Sequence, residues 1–433
     1  MTIATKIKRA LKPVILRAAD AYLMTVLNAL APARKAAPQD RRHVLALAPA
    51  VYGNLGDEAI VVSFLTRLRR ELPEAKITLI IFADKDVGGY GYLADELGVE
   101  FASLQGFFGM TPMLGAVRRM TDLIATGTDF VILGTDVLDG GYDESYSIRR
   151  WYMGVLAVRA GLPASAVGFS FSDRATAGVK AFVRTRCAGI NIICRDAVSA
   201  ARLSKAAGRT IPSSADIAFL LPLPAAPTPA AAAALAAVED WRAEGRKIIM
   251  FNVNPTGLTN ALPGIDVAAC ARASSEAVRM IAEAEPCAFV FAPHDNRAGV
   301  ADFLNSIKAV VPNVPVAMLD GKVRPGDFKL LGAKADLTIT GRMHMGIASM
   351  GVGTPTLFQD YQGKVEGLLA LFELPDMKYD AEDVLAPERL TAMAADRLAR
   401  HGDIVAQIAA RIDGVRALSA RNIDLVVNGK VAP

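Results

Sequence analysis

The chain has 433 residues, 52% of them hydrophobic and only 6% aromatic, too apolar for a disordered protein and too long for one ordinary core. Its net charge of +4 is mild, and the Lys and Arg residues are spread out rather than gathered in a basic stripe interleaved with aromatics, which argues against nucleic acid as a partner. Cys187, Cys194, Cys270 and Cys287 form no CxxC pair, so they read as reduced core thiols of a cytoplasmic protein; we expect neither a signal peptide nor a transmembrane span.

Residues 1–39 form a basic arm. Leu11, Val14, Ile15, Tyr22, Leu23, Val26 and Leu27 recur at helical spacing over residues 5–30, behind Lys6, Lys8, Arg9, Lys12 and Arg17. Such a helix can rest on the inner face of a membrane, cations at anionic headgroups, or it can pack on protein; spacing leaves both open.

Residues 40–221 alternate strand and helix. A strand over His43–Ala50 runs into Gly53-Asn54-Leu55-Gly56-Asp57 and an amphipathic helix, and further strands are expected at Lys76–Phe82, Asp129–Gly134, Ser165–Phe169 and Asn191–Cys194. The alternation predicts parallel strands with crossover helices. In the first turn, the two glycines, Gly53 and Gly56, let backbone approach a ligand and Asp57 can cap the helix, although a plain structural turn reads the same way. The loop Gly134-Thr135-Asp136 to Gly140-Gly141 places carboxylates beside glycines, either to accept hydrogen bonds from sugar hydroxyls or as a flexible connection. Cys194-Arg195-Asp196 ends another strand, with Arg195 either an ion-pair partner or an anion clamp.

Four prolines between Leu221 and Pro229 mark a break, so residues 222–245 read as a Pro/Ala-rich linker and helix. A second α/β domain follows over 246–380, with strands at Lys247–Val253, Ala288–Ala292, Val314–Leu319, Asp336–Thr340 and Pro355–Phe358. Long helices occupy 381–433 and could pack back across the domains. His294 falls at a strand end, as a site residue or a surface loop histidine. None of the four histidines has a second His or Cys at ligand spacing, so no metal is expected.

Within this half, Gly341-Arg342-Met343-His344-Met345-Gly346 follows a buried strand. It brings a fixed cation and a titratable imidazole to a carboxyl edge, where ligands of open α/β sheets bind. A second cation follows in Tyr361-Gln362-Gly363-Lys364.

Taken in order, Asn54-Leu55-Gly56-Asp57, Cys194-Arg195-Asp196 with Ser199, Ala215-Asp216-Ile217-Ala218-Phe219-Leu220, Arg342-Met343-His344 and Tyr361-Gln362-Gly363-Lys364 resemble the polysaccharide pyruvyl transferase family over about residues 43–375. The resemblance implies two Rossmann-like parallel-sheet domains of the GT-B type facing across a cleft, the first on the acceptor side and the second on the donor side. It implies phosphoenolpyruvate as donor, a sugar acceptor on a glycan or lipid-linked oligosaccharide, a pyruvate ketal as product and no cofactor. By position it implies catalysis at His344 and donor binding at Arg195, Arg342 and Lys364; Asn54, Gly56, Asp57, Asp136, His294 and Tyr361 are expected as acceptor or loop contacts. The family's run of three glycines is here Gly134-Thr135-Asp136, which bears on acceptor identity.

These residue types suit that chemistry. A donor with a carboxylate and a phosphate needs fixed cations, and a guanidinium fork grips two oxygens at once. Ketal formation needs a proton delivered to the enol carbon and another taken from a hydroxyl, work for which imidazole is suited near neutrality. The competing readings are a nucleotide-sugar-dependent GT-B glycosyltransferase and a catalytically silent glycan-binding or assembly protein of the same fold.

Overall fold

The computed structural model describes residues 41–108, 114–262, 264–295, 299–360 and 365–429, together with 21, 22, 24 and 25. The chain forms two compact units: residues 1–52, 64–217 and 419–433 make the first, and residues 53–63 with 218–418 make the second.

The first unit is built on six parallel strands: β1 (His43–Leu47), β2 (Lys76–Ile81), β3 (Val99–Ser103), β4 (Asp129–Thr135), β5 (Ala164–Phe169) and β6 (Ile190–Cys194). Their order is β3-β2-β1-β4-β5-β6. Runs such as Phe130–Leu133 are buried throughout, because helices cover both faces of a parallel sheet. The direction of the crossovers reverses between β1 and β4, where Val44 pairs with Asp129 and Leu47 with Ile132. His43 is spent on structure, its Nδ1 2.9 Å from Thr126 O and its Nε2 2.9 Å from Thr78 Oγ1; burial lowers its pKa.

The second unit repeats the plan with β7 (Lys247–Asn252), β8 (Cys287–Phe291), β9 (Val316–Met318), β10 (Leu337–Thr340), β11 (Thr356–Gln359) and β12 (Lys378–Tyr379), in the order β12-β11-β10-β7-β8-β9. All of the expected strands are present, with their ends displaced by up to about three residues in either direction; β3 and β12 are additional. The order reverses between β7 and β10, and Thr340 pairs with Asn252 at the carboxyl end.

The Pro-rich segment belongs to this second unit. Asp327 accepts from Thr228 N at 3.0 Å and from Thr228 Oγ1 at 2.8 Å, while the buried Lys329 ammonium donates to Leu221 O. Thr228 then caps the Pro229–Ala243 helix, whose first position is proline, a residue suited to helix starts. The C-terminal pair of helices, Pro387–Ala399 and His401–Asn428, ends back on the first unit. There Asn422 Oδ1 accepts from Gly168 N, its Nδ2 donates to Ala215 O, and Ser419 Oγ donates to Asp216 O, at 2.9–3.0 Å.

Most of the basic arm lies outside the described residues. Of the part that is described, Met24 packs against the core of the first unit and its carbonyl accepts from Tyr152 Oη at 3.1 Å. Among the described residues no helix is long and apolar enough to cross a membrane. All four cysteines are buried and unbridged. Burial pushes the Cys187 and Cys287 thiols up to about 12 and the Cys194 thiol well above its ordinary value.

Candidate active site

The second unit gathers its chemistry where the sheet order reverses. Leaving β10, Thr340 Oγ1 accepts from Arg342 N at 2.9 Å and lies 3.2 Å from Arg342 O, a short side-chain turn that redirects the chain into the Met343–Met350 helix. Gly341 is required by this turn. A Cβ there would stand 2.4 Å from Asn254 N and 2.5 Å from Gln359 Oε1, on the neighbouring strand exits. Arg342 therefore becomes the residue preceding the helix, half-buried, and no described residue engages its guanidinium. His344 follows in the first turn.

Residues 53–63 join this same unit and close on that turn. Asn54 bridges Asp295 in antiparallel fashion, and Leu55 N donates to His294 O at 3.2 Å. Asn54 Oδ1 accepts from Gly56 N at 3.0 Å at the start of the Leu55–Glu71 helix. The expectation that Asp57 caps this helix is thus corrected: Asn54 does so, and Asp57 sits buried within the first turn, where its charge suits the positive end of the helix.

Gly56 is pressed against both imidazoles. A Cβ at Gly56 would lie 2.4 Å from His344 Nδ1 and 3.0 Å from His294 Nε2. His294 is only 3% exposed, which removes it from the surface-loop reading; its ring stacks on Phe328 at 5.8 Å between centroids and 14° between planes. A third helix start stands at the same edge, beside Gly341: Asn254, just after β7, accepts from Gly257 N at 3.1 Å and leads into Pro255–Ala261. Free N–H groups and the dipoles of these helix starts favour an anion. Asn252 Oδ1 and Gln359 Nε2, at the ends of β7 and β11, are buried without a hydrogen-bond partner and add unspent polar capacity at this edge.

In the first unit, two of the motif segments turn out to be one bonded cluster, together with Ser170. Arg195, 5% exposed, donates from Nε to Ser170 Oγ at 2.7 Å and from Nη1 to Asp216 Oδ2 at 3.0 Å. Asp196 caps the Ala197–Ala207 helix by accepting from Ser199 N at 2.6 Å and Ser199 Oγ at 2.7 Å. The Gly134–Gly141 loop is likewise tied down. Asp139 accepts from Gly141 N and from both N and Oγ of Ser172, while Asp136 Oδ2 accepts from Tyr142 Oη at 3.0 Å. These bonds replace the flexible connection with a fixed one. Thr135, which stands in the loop's second position, has the left-handed φ of 45° that a glycine would adopt without strain.

Reading the sequence missed several residues here. Arg150 donates to Pro49 O at 2.9 Å, just beyond β1, with its guanidinium 5.0 Å from the Phe82 ring and 5.1 Å from the Phe108 ring. Arg149 donates to Phe107 O and lies over Tyr146. An arginine in an amphipathic helix gives no sequence signal of such burial; nor does Phe328 announce a histidine above it. Tyr361 and Lys364 lie outside the described residues. Among the described residues no group of three His, Cys, Asp or Glu side chains could hold a metal ion.

Two six-stranded Rossmann-like sheets, each in the same doubly wound order, define an α/β protein of the GT-B type, and solved structures bear this out. A Listeria monocytogenes protein assigned as a UDP-N-acetylglucosamine 2-epimerase superposes with a TM-score of 0.60 at 13% identity, over 91% of this chain and 99% of that one. The UDP-GlcNAc 2-epimerase of Neisseria meningitidis bound to UDP-GlcNAc gives 0.54 at 10% identity, over 89% and 100%. UGT71G1 of Medicago truncatula complexed with UDP-glucose gives 0.57 at 12%, over 90% and 98%. At these identities the likeness concerns the fold alone. No curated protein sequence matches the chain. Residues 54–363, which include Asn54, Arg195, Arg342 and His344, match the polysaccharide pyruvyl transferase family, and the chain belongs to that family.

Proposed function

We propose that the protein transfers pyruvate from phosphoenolpyruvate onto two hydroxyls of one sugar in a polysaccharide or lipid-linked glycan, forming a ketal and releasing phosphate. The observation that carries this reading is the convergence, in one unit, of the unclaimed Arg342 guanidinium, helix N-termini and the His344 imidazole. A donor with a phosphate and a carboxylate suits the first two; a reaction that moves protons gives the third a task. Arg342 grips the donor in this reading. Arg195 and Lys364 are further cations that the family resemblance assigns to it.

The balance of the reaction is simple. The enol carbon gains a proton as its double bond opens, and the adjacent carbon accepts two sugar oxygens. The carbon–oxygen bond to phosphate breaks with its electron pair leaving on phosphate. Two hydroxyl protons are lost, one matching the proton gained by carbon and one taken up by phosphate. His344 serves as the acid for carbon and the base for a hydroxyl, a role worth about 10²–10⁴ in rate.

The direct test is incubation of the full chain with phosphoenolpyruvate and a panel of sugar acceptors, following phosphate release and the mass of the product. Acceptor-dependent release with a pyruvyl adduct supports the reading. Thermal stabilisation by nucleotide sugars but not by phosphoenolpyruvate, with glycosyl transfer in place of the adduct, overturns it.

A further inference from the structure

His294 and His344 lie fifty residues apart in the chain, yet both rings meet the backbone of Gly56 in the second unit. His344 Nδ1 stands 2.4 Å and His294 Nε2 3.0 Å from the point that a Cβ at Gly56 would occupy. The two nitrogens are therefore no farther apart than those distances laid end to end. The faces involved are specific. The nearest atoms to that point are Nδ1 of the His344 ring and Nε2 of the His294 ring.

His294 is held more firmly than its partner. It is 3% exposed, its backbone carbonyl accepts from Leu55 N at 3.2 Å, and Asp295 next to it bridges Asn54. Its ring stacks nearly parallel on Phe328, 5.8 Å between centroids. Phe328 belongs to the Pro325–Gly332 helix, which Asp327 pins by accepting from Arg324 N at 2.8 Å and from Thr228. A histidine fixed on three sides behind a less buried one has the arrangement of an orienting group and the group it orients. In acid–base sites, the partner of an imidazole nitrogen sets the tautomer and thereby which nitrogen can give or take the working proton.

We infer that His294 is a positioning residue for His344: it holds the His344 ring and fixes which of its nitrogens carries the proton, with Gly56 as the close floor that keeps the two rings together. The inference rests on the proposed pyruvyl transfer for the task of His344, and it assigns His294 no contact with donor or acceptor. It also accounts for a glycine in Asn54-Leu55-Gly56-Asp57 by contact, since any side chain there would occupy the place of the ring.

The test compares the full chain with His294→Phe, which keeps an aromatic ring on Phe328 but removes both nitrogens, and His294→Gln, which keeps a polar group able to hydrogen-bond. With phosphoenolpyruvate and a working acceptor, His294→Phe is expected to lose at least tenfold in kcat with KM for phosphoenolpyruvate within about twofold of the parent, and His294→Gln to recover part of the loss. Unchanged kcat in folded His294→Phe overturns the inference. So does a loss in both variants that tracks a lowered melting temperature and weakened donor binding, because that is the behaviour of a merely structural residue. Imidazole nitrogen NMR supplies a readout that needs no substrate: the chain has four histidines, so the His344 signals can be assigned by substitution. Altered tautomer populations of His344 in His294→Phe support the coupling even if phosphoenolpyruvate is not the donor, and an unaltered ring overturns it even if phosphoenolpyruvate is.

Discussion

Gly56 and His344 compete for one volume: the place of a Cβ on Gly56 is 2.4 Å from His344 Nδ1, well inside any tolerable contact. Gly56→Ala must therefore displace a ring or a helix start. We expect a loss of about 1–3 kcal/mol of stability, as for other overpacked sites, together with a much larger fall in kcat. Urea unfolding and phosphate-release kinetics on the same preparation measure the two; an alanine variant with parental turnover contradicts the packing described here.

Arg342 and His344 should separate binding from turnover. Arg342→Ala is expected to raise KM for phosphoenolpyruvate and weaken its binding in calorimetry. His344→Ala should leave that binding largely intact and lower kcat by about 10²–10⁴. The reverse pattern would exchange their roles.

Arg195 is expected to answer first in stability. Its removal leaves the Asp216 carboxylate buried without its cation, a change that typically costs about 3–5 kcal/mol. Arg195→Ala should thus unfold at clearly lower urea, and Arg195→Lys should restore charge without the two-pronged contact to Ser170 and Asp216. Donor affinity, measured where both variants remain folded, reads the role that the family resemblance assigns to Arg195.

Lys329 gives a pH signature. Burial, with the nearby Arg416 charge adding to it, lowers its pKa to about 8 from an ordinary 10.5. The folded state thus holds this proton less tightly than the unfolded chain. Its contribution is most favourable above 10.5 and is lost as pH falls through that value toward 8. Relative to Lys329→Met, the parent should gain stability as pH rises from 8 to 10, by an amount on the order of 3 kcal/mol at most. Chemical denaturation of the pair across that range checks the sign; a flat difference would mean that the ammonium is better solvated than its burial implies.

Much of the fold could be read from the sequence because parallel strands buried on both faces leave continuous apolar runs, as in Lys76–Ile81 and Asp129–Thr135. Val99–Ser103 could not, since the exposed Glu100 interrupts it and only Val99 is fully buried, and Lys378–Tyr379 is too short to carry any period. Arg342 and His344 were visible as a cation and an imidazole after a strand. The meeting of Gly56, His294, Phe328 and His344 was not, because it depends on contacts between segments well separated in the chain, Gly56 farthest from the rest. The Gly134–Gly141 loop misled for a related reason: glycines and carboxylates describe an open sugar loop equally well until Ser172 and Tyr142 are seen to occupy the carboxylates.

The division of the chain also constrains its synthesis. The first unit draws on residues 419–433, where Asn422 holds the backbone of Gly168 and Ala215, and the second draws on residues 53–63. On the ribosome, the N-terminal sheet can form early but the hydrogen bonds to Gly168 and Ala215 must wait until Asn422 has emerged. Expressing the two halves as separate fragments, cut at the Pro-rich segment, would leave each without a piece of its own structure, so recovery of activity should require that both be present together.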